Sequence, residues 1–347
     1  MGFALTSRVR PWVFVTVTGL LTLAAIVLLV LRPADNITYQ QILSALAEGL
    51  GFGEADRVAH VAIVYDVRLP RVLVTVFAGA SLAVAGTVMQ AVFRNPLGAP
   101  EILGTMNGAA LGAVMAIGFG FASTSVFAAP ICSFLMAGAV TALVFASAWG
   151  RGGASVTGIL LAGIAMNSLA GAAIAFIVSL QFGSWEKSKA IMQWLLGGLD
   201  KATVTGAWIV GLGFVLFSAV LVPFVRDMDL LTLKDESAQT LGVRVGRMRQ
   251  ILLLIACGVT ATAVANTGGI LFVGLVVPHM VRLMVGPSHR ALLPCAAIAG
   301  ALILIVADGL CQLAGSQAEL RAGVVTSILG VPFFLLLLMR HRRAEVL

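Results

Sequence analysis

The sequence predicts an all-α polytopic membrane protein with about ten transmembrane helices, both termini on the cytoplasmic side, and a faint inverted repeat. Three observations carry that prediction. Of 347 residues, 60% are hydrophobic and 11% charged, and the mean hydropathy is +1.04; a soluble domain usually has about 25% charged residues. Ten apolar segments reach spanning length, near 12–31, 70–93, 105–122, 126–148, 155–181, 205–225, 250–267, 269–286, 291–312 and 322–340. With both termini inside, fourteen of the 22 Lys and Arg fall at cytoplasmic positions and eight outside, the bias that orients membrane helices. The chain 1–347 reads as one transmembrane domain.

The first span follows Arg8 and Arg10 and precedes no small-x-small cleavage site, so it is expected to remain as an uncleaved helix. Outside, ITYQQILSALAEGL (37–50) places Ile37, Ile42, Leu43, Leu46 and Leu50 at near-helical spacing, an amphipathic helix on the outer surface. Next comes Arg68-Leu69-Pro70-Arg71, where Pro70 suits the first turn of the second span. Two arginines at a helix start oppose its dipole and call for an anion, local, lipid or from a partner. The stretch FRNPLGAPEILGTMNGAALG (93–112) holds two prolines and four glycines, irregular backbone that membrane depth tolerates only where protein buries it or a cavity hydrates it. Asn95 reads as a cap there, and Asn107 could line a path.

Spans three to five follow, with glycine pairs such as Gly79…Gly86, Gly108…Gly112 and Gly158…Gly163 that let backbones approach closely. The outer segment 181–204 carries Trp185, Trp194 and Gly197-Gly198; its tryptophans read as interface anchors unless a cavity borders them. After the sixth span comes the most polar interruption of the second half, DMDLLTLKDESAQTLGVRVGRMR (227–249). It reads as a short cytoplasmic helix with Asp235 as N-cap and Gly242 as terminator, either a solvated loop or a docking helix. In the eighth segment Pro278 kinks or ends a turn beside His279, and Asp308 in the ninth is the one carboxylate well inside an apolar run. Arg68, Leu73 and Gly79 recur as Arg247, Leu252 and Gly258 at a constant offset, the first copy starting outside and the second inside, as in an inverted repeat.

Absences narrow the function. The sequence has no GxxxxGK[ST] phosphate loop, no HExxH and no nucleophile elbow, so it is expected to be a transport subunit and not an enzyme. No basic cluster interleaves with aromatics, which argues against nucleic acid. Cys132, Cys257, Cys295 and Cys311 lie singly in apolar runs, read as buried hydrophobes and not metal ligands or disulfides.

The segments 68–112, WLLGGL (194–199), LTLKDESAQTLGV (231–243), FVGLVVPHMVRL (272–283), LLP…AD and GVVTSILGVPFFLLLL (323–338) occur in an order and spacing that closely resemble the permease subunits of ABC importers for iron–siderophore complexes, haem and cobalamin. The resemblance runs from about residue 60 to 340. It implies a second permease subunit (a homodimer is favoured over a pair of similar chains), two cytoplasmic ATPases that use ATP and Mg, and an extracytoplasmic binding protein. It also implies a bacterial inner-membrane location among lipids and no cofactor bound by this chain. Asp235, Glu236, Ser237, Ala238, Leu241 and Gly242 match the family's coupling helix, with Ser237 for the more usual alanine. Arg68 and Arg71 match outer arginines that pair with binding-protein glutamates. Asn107 matches a cytoplasmic gate position, and Ser184 lies near a fifth-helix gate segment.

Two departures stand out. An ELP before the GVVT stretch becomes Glu319-Leu320-Arg321-Ala322, loosening the tenth helix start and offering Arg321 as a third docking charge. Met106 replaces a small polar residue, narrowing or drying the gate. The competing readings are a proton-coupled secondary transporter using Asp308 and His279, and a membrane receptor or scaffold that binds without transport.

Overall fold

Long apolar segments become helices because a bilayer offers the backbone no other hydrogen-bond partner. The computed structural model describes residues 9–33, 37–49, 51–52, 58–150, 153–154, 156–181, 183–315 and 320–345. α1 (Pro11–Val30) starts on a proline that fits a first helical turn. α2 (Tyr39–Gly49) and α3 (Val58–Ala62) follow outside, and a π-helical turn, Ile63–Arg68, leads into α4 (Leu69–Phe93). A 3₁₀ turn, Pro100–Leu103, precedes α5 (Thr105–Gly118), followed by α6 (Phe121–Thr124), α7 (Ala128–Ala148) and α8 (Val156–Leu180). A two-residue antiparallel pair, Trp149–Gly150 with Gly153–Ala154, lies between α7 and α8.

The second half comprises α9 (Trp185–Leu195), α10 (Val204–Leu221), α11 (Val225–Leu231) and α12 (Asp235–Thr240). It ends with α13 (Val245–Thr267), α14 (Val273–Val285), α15 (His289–Leu313) and α16 (Ala322–Glu345). Every apolar segment marked in the sequence is helical over most of its length. Among the described residues, seven helical stretches are long and apolar enough to cross a bilayer, whereas α5 and α14 are shorter. The shortfall has local causes. Gly120 (φ 83°) interrupts the run after α5. Gly268 (φ 70°) and Phe272 (φ 67°) hold the chain out of helix between α13 and α14, where the sequence alone placed a span from 269.

α4 is the hub. It packs against α15, α13, α10 and α14, and most of its side chains from Val72 to Phe93 are buried. Two glycine pairs set its distances: a Cβ on Gly79 would strike the Gly300 backbone, and one on Gly86 would strike Gly274. Small residues thus replace the hydrophobic effect, which is weak between helices in lipid, with close van der Waals packing. Exposed leucines, isoleucines and phenylalanines cover α1, α7, α8 and α10, the faces turned to lipid.

α2 is a helix over the segment read as amphipathic. Its face is not simply laid on lipid, because Ile42 and Ala45 are buried against Val64 and the turn 63–68; Leu50 lies outside the described residues. The weak internal echo falls on α4 and α13, which pack together. Arg68 and Arg247 each stand at the start of a buried helix, but Gly79 meets Gly300 whereas Gly258 meets Phe217, so the surroundings differ.

Candidate functional site

The cytoplasmic loop folds into α11, α12 and the start of α13. Asp235 is not the N-cap of α12: Lys234 takes that place without a side-chain bond. The Asp235 carboxylate is drawn elsewhere. Arg249 grips it with both terminal nitrogens (3.1 and 2.8 Å), and Arg94 at the end of α4 pairs with it while donating to the Leu231 carbonyl at 2.6 Å. Partial burial works to raise the Asp235 pKa, but the hydrogen bonds and charges of Arg249 and Arg94 outweigh it and hold the carboxyl below its ordinary range. Asp235 and Glu236 also suit the positive N-terminal end of α12.

The C-terminus of α12 is a Schellman cap. The Gly242 N–H bonds the Gln239 carbonyl at 2.9 Å and the Val243 N–H reaches the Ala238 carbonyl at 3.1 Å, with Gly242 at φ 89°. Ala238 and Val243 are buried in the same apolar cluster, which seats one side of the helix. Glu236, Ser237, Gln239, Thr240 and Leu241 remain exposed. One turn upstream, Asp229 on α11 accepts from the His289 backbone N–H at 2.9 Å and pairs with its ring Nδ1 at 2.6 Å. The loop is thereby joined to α4, α13 and α15 by three carboxylate contacts, two with arginines and one with His289.

At the outer surface the arginines find local partners. Arg68 donates to the carbonyls of Val30 (2.8 Å) and Arg32 (2.6 Å), capping the C-terminus of α1. Arg71 binds Asp308 through Nε (3.0 and 3.2 Å) and Nη2 (2.7 Å), and reaches Asp200 through Nη1 at 3.0 Å. Gln312 donates to the same Asp308 at 2.8 Å. Arg321 pairs with the other oxygen of Asp200. The structure therefore gathers Arg71 and Arg321 on one carboxylate and leaves Arg68 apart. Glu319 lies outside the described residues, and α16 starts directly after Arg321.

Asp308 is 1% exposed and belongs to this ion pair. It sits nineteen residues above the start of α15, whereas His279 sits six residues above the end of the neighbouring α14. At 1.5 Å per residue their depths differ by about 20 Å. A direct proton relay between them has no geometric basis.

Asn107 and Ser184 are also far apart. Asn107, in the first turn of α5, donates to the Asn167 carbonyl at 3.4 Å, and Asn167 donates to the Glu101 carbonyl at 3.0 Å. Ser184 precedes α9, near the opposite end of α5, where Lys187 donates to the Gly118 carbonyl at 3.0 Å. About 17 Å of helix separates the two levels. Met106 is buried in the apolar core with Ala109 and Ala137. Asn95 is not a helix cap, since Ala99 precedes the turn at Pro100; its side chain instead accepts from the Leu97 N–H at 2.9 Å and closes a local turn. A cavity of about 370 Å³ lies under the outer loop, bordered by Gln193, Trp194, Lys201, Thr203, Asn266 and Arg321, so Trp194 is a cavity residue while Trp185 is an exposed anchor.

Arg94, Arg249 and Asp200 escaped the sequence reading. Each makes its contact across a large separation in the chain, and local spacing carries no signal for that. Among the described residues no group of His, Cys, Asp and Glu is arranged to hold a metal, and the four cysteines are free thiols.

The sequence matches the profile of the FecCD transport family over residues 20–340. It is 39% identical over 316 residues to a cobalamin import system permease of Halobacterium salinarum, covering 90% of this chain and 82% of that one. It is 38% identical to the hemin transport system permease of Yersinia pestis (80% and 83% covered). It is also 38% identical to the Fe(3+) dicitrate transport system permease FecD of Escherichia coli K12 (82% and 87%). Among solved structures, an inward-facing metal-chelate type ABC transporter superposes with a TM-score of 0.81 at 28% identity, covering 94% of this chain and 98% of that one. Streptococcus pneumoniae PsaBC, at 16% identity and a TM-score of 0.52, shares the fold (78% and 90% covered). The chain belongs to the FecCD transport family and is the membrane permease subunit of a type II ABC importer, with ATP hydrolysis residing in a separate subunit.

Proposed function

We propose that this permease carries a metal chelate, an iron–siderophore complex foremost and haem or the cobalt chelate cobalamin as the other cargoes, from an extracytoplasmic binding protein into the cytoplasm by alternating access. Relatives of similar identity are named as permeases for cobalamin, hemin and Fe(3+) dicitrate, all metal chelates. The working unit is a homodimer in the bacterial inner membrane with two ATPases that use ATP and Mg; no cofactor is bound by this chain. Asn107 and Met106 act near the cytoplasmic gate and Ser184 near the outer end of the path. Arg68, Arg71 and Arg321 mark the binding-protein face, with Arg68 setting the end of α1.

The observation that carries the reading is α12. Its Glu236, Ser237 and Leu241 are exposed while Asp235 and Ala238 fix it to the membrane helices and Gly242 ends it. A short helix held at its back and free at its front is suited to seat in a cleft and transmit movement. The test is reconstitution in liposomes with the ATPase and binding protein, comparing wild type with Glu236→Arg. Loaded binding protein should stimulate hydrolysis in wild type and not in the variant, and ferric siderophore should be taken up in preference to hemin or cobalamin. Equal stimulation in both would remove α12 from the coupling path.

A further inference from the structure

The outer arginine cluster presents its charges in an unexpected way. The side chain of Arg71 is 20% exposed and that of Arg321 11%, whereas the Asp200 carboxylate between them is 43% exposed. A partner approaching this face therefore meets a carboxylate before it meets either guanidinium. The two arginines are also held differently. Arg71 keeps a buried, bidentate partner in Asp308, itself held by Gln312, whether or not Asp200 is present. Asp200 is the only carboxylate recorded on Arg321 among the described residues.

Asp200 sits on the loop between α9 and α10, and that loop closes over the 370 Å³ cavity. Gly197 (φ 66°) packs on the Gly269 backbone, the Gly198 N–H donates to the Thr267 carbonyl at 2.8 Å, and a side chain at Gly198 would run into Arg321. The loop is thus fastened by backbone contacts on one side and by Asp200 on the other. Gly198, Lys201, Thr203 and Arg321 all border the cavity beneath.

We infer that Asp200 is an internal stand-in for an acidic residue of the docking protein, a latch that holds Arg321 and the 196–203 loop until a partner carboxylate displaces it. Arg71, pinned by Asp308, is the fixed point of the exchange; Arg321 is the group handed over. Once Arg321 turns to the partner, the loop over the cavity keeps only the Asp200–Arg71 contact as its ionic fastening. Docking and opening of the outer mouth become one event. The inference rests on the proposed docking face, and it adds that binding must break an existing ion pair.

The test uses the permease with its ATPase in lipid nanodiscs, its cognate binding protein as the probe, and Asp200→Asn and Asp200→Glu variants. Removing the competing charge should tighten binding by up to about fivefold, the scale of one exposed ion pair, and Asp200→Glu should return it to the wild-type value. Lys201→Cys, labelled by a membrane-impermeant maleimide, reports the loop directly. Its labelling rate should rise when binding protein is added to wild type, and should already be high in Asp200→Asn without it. If wild type binds and Asp200→Asn binds equally or more weakly, the latch is overturned and the docking face stands. If wild type itself shows no binding, both fall.

Discussion

At the scale of single residues, the membrane setting decides what a charge can do. Asp308 lies almost wholly buried, and its partner Arg71 is what makes that tolerable. Removing one member of a buried pair leaves a charge without a partner, at a cost of about 3–5 kcal/mol, whereas replacing both with apolar groups of similar volume is often neutral or better. Arg71→Ala should therefore lower the yield and thermal stability of folded permease sharply, and Arg71→Met with Asp308→Leu should recover most of the loss in detergent melting. Equal damage from single and double variants would assign the effect to packing. Asp235 obeys the opposite logic because it is partly exposed. Its folded pKa lies below the ordinary value near 4, so its links to Arg94 and Arg249 contribute fully above that ordinary value and are lost as pH falls through the folded one. Acid melting curves of wild type and Asp235→Asn should converge at low pH and separate towards neutrality.

At the scale of elements, the helices were legible in the sequence because lipid imposes length and apolarity together. Residues 245–267, 289–313 and 69–93 could hardly be anything else. What the sequence hid is where backbone leaves the helix at membrane depth. Gly268 and Gly269 mark the link after α13 as short, but Phe272, a bulky residue at φ 67°, gives no sign that the next helix starts only after it. The short helix α12 and its Gly242 terminator are legible in the sequence, but the fastening is not, since a carboxylate at a helix start reads as a cap whereas the partners of Asp235 lie fourteen residues downstream and on another span. Gly242 makes a prediction at this scale. A Cβ in the left-handed region costs about 1–2 kcal/mol, and nothing lies within 4 Å to interfere otherwise. Gly242→Ala should leave membrane insertion unchanged and loosen the end of α12, read as reduced stimulation of the ATPase by loaded binding protein. Full stimulation would mean that the cap shapes the loop without orienting its exposed face.

For the whole molecule, the arginines at the two ends of α4 explain how a signal could cross the membrane without a soft link. Arg71 ties the outer end to α15 and to the loop before α10, and Arg94 ties the inner end to α11 and α12. Between them α4 is buried and pinned by glycine contacts to α14 and α15, so it can tilt or slide as a rod but cannot easily bend. Movement of α12 carried through α4 is then expected to appear at Asp200. Cutting the inner tie while leaving the exposed face of α12 intact should separate recognition of the ATPase from its consequence. In Arg94→Ala the ATPase should still associate, because Glu236, Ser237 and Leu241 are untouched. The labelling rate of Lys201→Cys, which should change on ATP addition in the otherwise wild-type assembly, should no longer respond. A preserved response would route the signal through Arg249 and α13 instead, and Arg249→Ala is the variant that would then lose it.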